Sequence, residues 1–292
     1  MNQIDKKKIA LAVATASMAT IGVISVKATG NYIENKRIEK QLKEQQELEE
    51  KRLSELKNKY PGVGIKGLDD AYDARLVSEK LNSYNYSNDE KIVFLTFDDG
   101  PSTTVTPEIL RTLRENDVRG TFFVLGETIE RSDKNKELLK EIYKDGNAIA
   151  NHSYSHDYKK LYPGGSLSIE NFINDYNKNE NLIKSILGED FRTRVIRCPG
   201  GYMSWKGMAP LKEYSNKTDS FISVDWNALN GDAQGKKKNE DELVEYTIKT
   251  SKGKDIVVLL MHDTYGKENT AKSLDRIIKH YKSEGYSFKV LG

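Results

Sequence analysis

From residue 91 to the C-terminus, short β-branched or aromatic runs alternate with longer segments whose apolar positions recur every three to four residues. The most apolar run spans 92–97, where Val93, Leu95 and Phe97 alternate with Phe94 and Thr96, so it reads as a strand buried on both faces. The pattern predicts seven strands, at 92–97, 120–124, 148–151, 195–198, 221–225, 256–261 and 287–291. Helical patterns separate them at 106–115, 134–144, 168–187, 209–215, 240–250 and 269–280. Regular alternation implies a parallel sheet. Seven such units in one domain predict an α/β fold, a closed or nearly closed seven-stranded (β/α) barrel over 91–292.

The N-terminal patterns differ. Lys6, Lys7 and Lys8 close a basic tail (1–8), and the stretch that follows, 9–26, carries no charge. Its length suits a short membrane span, and the basic flank places the N-terminus in the cytoplasm. Segment 9–27 is thus expected to be a transmembrane anchor; a cleaved signal peptide is the rival, because Val26-Lys27-Ala28 passes as a cleavage site. Residues 28–60 turn abruptly to Lys, Glu, Gln and Leu, and from Asn31 to Tyr60 they lack Pro and Gly, which predicts a charged helical stalk. Gln45, Glu49 and Arg52 interrupt the apolar stripe, so a single solvated helix is favoured over a coiled coil. Residues 61–90 read as a linker with one short helix. Either N-terminal reading puts the catalytic region outside the cell membrane.

Composition narrows the classes further. The 292 residues carry a net charge of +2, which gives no ground for a nucleic-acid partner, and the expected state is a monomer. One cysteine, Cys198, excludes an intrachain disulfide framework and a Cys-rich zinc site.

The chemistry falls at the predicted strand ends. Asp98 and Asp99 follow the first strand, and Gly100-Pro101 stops it. Neighbouring residues on a strand face opposite ways, so both acids can enter one pocket only where a turn re-aims the chain. His152 and His156 follow the third strand, Arg197 and Gly200 the fourth, Asp225, Trp226 and Asp232 the fifth, and His262 the sixth. In a β/α barrel those ends share one face, where active sites sit. The fourth histidine, His280, falls on a helix. Imidazoles at i and i+4 lie on one side of a helical turn, a spacing that suits two metal ligands. A carboxylate from another strand end would complete three ligands and leave a position for water, as catalytic zinc sites do.

These residues carry a resemblance. Thr96-Phe97-Asp98-Asp99-Gly100, His152-Ser153-Tyr154-Ser155-His156, Arg197-Cys198-Pro199-Gly200-Gly201, Asp225-Trp226 and Leu259-Leu260-Met261-His262 resemble the five ordered motifs of the polysaccharide deacetylases, the NodB-homology or carbohydrate esterase family 4 proteins. The resemblance implies a distorted barrel and a metal-dependent N-deacetylase, with Asp99, His152 and His156 holding zinc, or cobalt or nickel. It makes Asp98 the general base, because a metal-bound carboxylate is a poor base and a free one must take the proton from water. Protonated His262 would serve the departing amine, Arg197 would keep Asp98 ionised, and the Gly200 N–H would bind the oxyanion. Asp225 and Asp232 both stand as partners for His262.

Two departures qualify it. Family members carry an aromatic residue where Gly200 stands, so one wall of the sugar groove is missing, and the fourth motif is compressed into Val224-Asp225-Trp226. Trp226 reads equally as core packing or as a sugar platform. The implied substrate is a cell-surface glycan, foremost peptidoglycan N-acetylglucosamine; chitin oligomers, poly-N-acetylglucosamine and acetylxylan are alternatives. A catalytically silent glycan-binding module, or hydrolysis of another amide or ester, are the competing functions.

Overall fold

The apolar runs become strands and the amphipathic segments become helices, in a computed structural model that describes residues 32–292. In chain order the elements are α1 (Tyr32–Lys59), β1 (Ala71–Tyr72), α2 (Ala74–Asn82), β2 (Ile92–Asp98), α3 (Thr106–Glu115), β3 (Thr121–Val124), α4 (Gly126–Glu130) and α5 (Asp133–Lys144). They continue with β4 (Ala148–Asn151), α6 (Tyr158–Leu161), α7 (Ile169–Leu187), β5 (Val195–Ile196), α8 (Ala209–Thr218), β6 (Ile222–Ser223) and β7 (Ala228–Leu229). The last are α9 (Glu240–Ser251), β8 (Ile256–His262), α10 (Glu268–Ser283), β9 (Ser287–Phe288) and β10 (Val290–Leu291).

Two compact units result, one ending at Tyr60 and one spanning Pro61–Gly292. The first shows α1, a 28-residue helix with an Arg52–Glu49 ion pair at 2.7 Å one turn apart. The basic tail (1–8) and the anchor or signal segment (9–27) lie outside the described residues. Among the described residues, no helix is long and apolar enough to cross a membrane.

In the second unit, β2 is central because all seven of its residues are buried. The sheet order is β6-β5-β4-β3-β2-β8-β7, every pair parallel, with β9 also beside β2. This is the curled seven-stranded α/β sheet that the pattern predicts, distorted in that its ends β6 and β7 do not pair with each other. Parallel neighbours need long crossovers, and helices supply them. The alternation along β2 divides the core. Val93, Leu95 and Phe97 pack with Ile109 and Leu113 of α3 and Leu274 and Ile278 of α10. Ile92 and Phe94 face the other way, with Phe123, Ala150, Val195 and Val258.

Three features depart from the predicted elements. The run at 287–291 breaks at Lys289 into β9, which pairs with β2, and β10, which pairs with β1. The seventh strand of the sheet is instead β7, two residues long and too short to show a period. Residues 61–90 are not a linker. Val63 bridges to Ala148, β1 pairs with β10, and Ala74, Val77 and Leu81 of α2 join the core that holds Phe94. Apolar positions at i, i+3 and i+7 give α2 one buried face, which drives this docking.

Candidate active site

On β2, the residues that share a face with Phe94 are Thr96 and Asp98, so the alternation that builds the core also points Asp98 to the strand's C-terminal end. Register fixes its neighbour: Asp98 lies directly across from His262 on β8. Asp99 follows with φ 70, the left-handed region that L residues seldom enter. That turn brings the second carboxylate to the same side as the first. Gly100 then runs so close to the buried Asp263 that a Cβ there would lie 2.1 Å from the Asp263 carboxylate.

The three residues expected to hold a metal lie together. Asp99, His152 and His156 each offer a ligand atom, and these atoms lie within 4.8 Å of one another. Asp99 Oδ1 is 3.4 Å from His152 Nε2 and 3.5 Å from His156 Nε2. It is buried and has no hydrogen-bond partner, as a carboxylate oxygen meant for a cation would be. His152 Nδ1 pairs with the Arg197 carbonyl at 2.8 Å, which leaves Nε2 directed at the cluster. Burial lowers the His152 pKa to about 3, so the ring is neutral and can donate its lone pair. Oxygen and nitrogen donors of this kind, three in number, fit a divalent cation.

The helical turn expected for His152–His156 is absent. The segment is a loop in which Ser153 and His156 both have positive φ, 75 and 53. It is held from α7. Asp175 accepts the N–H groups of Tyr154 and Ser155 and the Ser155 hydroxyl, and pairs with Lys160 at 2.6 Å. Asn179 donates to the carbonyls of Val124 and Ser153 and to the Asn151 side chain. Sequence reasoning missed both residues. The signal was there: Asp175 and Asn179 recur one turn apart, with Glu180 next to them, on a face otherwise marked by Phe172, Tyr176 and Ile183.

Arg197 is wholly buried and donates to Asp98 at 2.7 Å and to Thr96 at 2.9 Å, with further bonds to the carbonyls of Val224 and Asp225. Its guanidinium lies 4.0 Å over Phe123 and 5.6 Å over Trp226. Even so, burial dominates at Asp98 and raises its pKa, with Arg197 and His262 only partly offsetting. Arg197 thus favours the ionised carboxylate, as expected, but does not outweigh the effect of burial.

His262 pairs with Asp232, not Asp225. Its Nδ1 lies 2.8 Å from one Asp232 oxygen, and its backbone N–H donates to the other at 2.9 Å. Burial opposes protonation of His262, but the bond to and charge of Asp232, with Asp98 and Asp99 adding, carry its pKa up to about 9. Its Nε2 stands 4.0 Å from Asp99. Asp225 instead accepts the N–H groups of Tyr202 and Met203, at 3.0 and 3.4 Å, and so shapes the loop after Arg197. In that loop the Gly201 N–H bonds to Cys198 and the Gly200 N–H has no acceptor among the described residues. Trp226 is half-buried, against the core of Phe94 and against Gly201.

Asp263 follows His262 at the same strand end, with no role read for it from sequence. It is fully buried, accepts the Thr106 hydroxyl at 2.6 Å, and burial raises its pKa to about 7.

Comparison with known proteins fits this geometry. A family model described as polysaccharide deacetylase matches residues 85–215. A peptidoglycan-N-acetylglucosamine deacetylase of Bacillus cereus is 31% identical over 207 residues, covering 70% of this chain and 89% of that protein. A CE4 esterase of Streptococcus mutans superposes with a TM-score of 0.71 at 34% identity, over 78% of this chain and 94% of the other. The catalytic domain of a peptidoglycan N-acetylglucosamine deacetylase from Eubacterium rectale superposes with a TM-score of 0.61 at 28% identity, over 71% and 91%.

Proposed function

This chain belongs to the polysaccharide deacetylase family, and on that premise we propose that it is a metal-dependent hydrolase removing N-acetyl groups from cell-wall peptidoglycan, as acetate, chiefly at N-acetylglucosamine. The observation that carries the reading is a division of labour among acids. Asp99 reaches both imidazoles, while Asp98 comes within 3.7 Å of His152 alone and is bonded to Arg197 at 2.7 Å. Peptidoglycan is supported by the similarity to the peptidoglycan-N-acetylglucosamine deacetylase of Bacillus cereus.

Asp99, His152 and His156 would hold the cation, with zinc the best fit to two imidazoles and a carboxylate and cobalt or nickel able to replace it. When bound, it supplies Lewis acidity to the acetamide carbonyl and the attacking water. Asp98 takes a proton from that water as the new C–O bond forms, and its raised pKa makes it a better base than an ordinary carboxylate. Arg197 fixes the direction of that carboxylate. The Gly200 N–H, without an acceptor of its own, donates to the developing oxyanion. His262 carries the proton that the nitrogen needs as the C–N bond breaks, and Asp232 holds its ring with Nε2 toward Asp99. Acetate and a free amine leave.

Acetate release from purified peptidoglycan tests the reading. Asp98→Asn is expected to lower kcat by about 10²- to 10⁴-fold while zinc content stays at the wild-type level. Unchanged turnover would remove Asp98 from the role of base, and a silent binding module would release no acetate at all. We further propose an extracellular catalytic domain tethered by segment 9–27, on the strength of Lys6–Lys8 and the uncharged run after them. Added trypsin should then cleave the domain on intact cells, and protection would contradict the placement.

A further inference from the structure

Position 200 carries no side chain, and its surroundings show why. Gly200 has φ 78, and a Cβ there would come within 3.1 Å of the Trp205 ring and 3.3 Å of the Tyr158 hydroxyl. The volume that an aromatic residue at this point of the loop would fill is already taken by two other rings. Trp205 is fixed: it stacks on buried Tyr162 at 4.1 Å and 8°, and its indole N–H donates to the Pro199 carbonyl at 2.8 Å. The backbone beside it is pinned as well, since the Leu167 N–H donates to the Lys206 carbonyl and the Lys206 N–H to the Gly165 carbonyl.

Tyr158 leans on this platform. Its ring centre is 5.0 Å from that of Trp205 and 5.0 Å from that of His156, so the three rings form a row that starts at a member of the metal-ligating cluster. Unlike Trp205 and Tyr162, Tyr158 is 43% exposed, and its hydroxyl has no hydrogen-bond partner among the described residues. A half-open ring with a free hydroxyl at the edge of a carboxylate–imidazole cluster suits a pyranose, which offers an apolar face to the ring and hydroxyls to the phenol.

We propose that Tyr158, backed by Trp205, forms the sugar-facing wall of the groove in place of a side chain at position 200, and sets the preference for glycan chains over single sugars. This rests on the deacetylase reading of the site and names the residues through which that site grips its substrate.

The test compares zinc-loaded wild-type protein with Tyr158→Leu, Tyr158→Phe and Trp205→Leu, by acetate release from the N-acetylglucosamine tetramer and monomer. The ratio of kcat/KM for tetramer over monomer is expected to fall about ten-fold in Tyr158→Leu, mainly through KM, and less in Tyr158→Phe, which keeps the ring. Trp205→Leu should lower the ratio in the same direction, since it frees Tyr158 to move. If the wild type is active and the ratio is the same in all four proteins, the wall is wrong while the deacetylase stands. If the wild type releases acetate from neither sugar nor peptidoglycan, both readings fall together. Should Tyr158→Leu not fold, Tyr158→Ser at this half-exposed position decides in its stead, because a wild-type ratio and KM there would deny the ring any part in binding.

Discussion

Asp98 and His262 occupy the same level of adjacent strands, yet their surroundings set them for opposite proton tasks. Burial raises the Asp98 pKa, and Asp232 brings that of His262 up to about 9. In the proposed mechanism turnover needs Asp98 ionised and His262 protonated, so kcat/KM should rise with pH through an acidic limb above the ordinary carboxylate range and fall through an alkaline limb near 9. Asp232→Asn removes the charge that favours protonated His262. Its alkaline limb should therefore move to lower pH; a limb that stays in place would mean that another group governs it. The acids and imidazoles were legible in the sequence because residue type and order carry them. Gly100 was legible only as a turn. Its second reason, the Asp263 carboxylate against it, depends on a contact between residues 163 positions apart that no local pattern encodes. For the same reason the choice between Asp225 and Asp232 needed coordinates.

At the scale of elements, the loop that carries His152 and His156 is held against its own preferences. Ser153 and His156 adopt positive φ, a cost of about 1–3 kcal/mol each that surrounding bonds must offset. Asp175 on α7 supplies three of those bonds; burial works against its charge, but Lys160 with the N–H and hydroxyl of Ser155 brings its pKa below the ordinary value. Asp175→Ala should weaken zinc binding by about 10- to 100-fold, the usual effect of removing a residue that orients ligands. Titration with a fluorescent zinc competitor reads this directly, and wild-type affinity would show that the loop holds its shape alone. The strand–helix alternation of this region could be read from periodicity. The loop's true conformation could not, because i, i+4 spacing has the same appearance whether a helix or a strained turn produces it.

For the whole second unit, residues 61–90 decide whether the curled sheet has a packed interior. Val63, Leu68, Val77 and Leu81 are all buried, and each is worth about 1.5–3 kcal/mol in that state. Their sum approaches the roughly 5–15 kcal/mol by which domains of this kind are stable. A protein of residues 61–292 is thus expected to unfold cooperatively on heating, whereas residues 91–292 should show no such transition or one at least about 10 °C lower. Equal melting points would make 61–90 a linker after all. Composition hid this segment's role: it is polar overall, and only the spacing of three apolar residues on α2 marks its inner face.

The central claim is that Asp99, His152 and His156 together grip one cation while Asp98 remains free beside it. Anomalous scattering from a crystal of the zinc-loaded catalytic unit, recorded at the zinc absorption edge, tests that placement most directly. One strong peak is expected about 2.0–2.2 Å from a carboxylate oxygen of Asp99 and from the Nε2 atoms of His152 and His156. A peak ligated by Asp98 in place of Asp99, or no peak among these three residues, would contradict the claim.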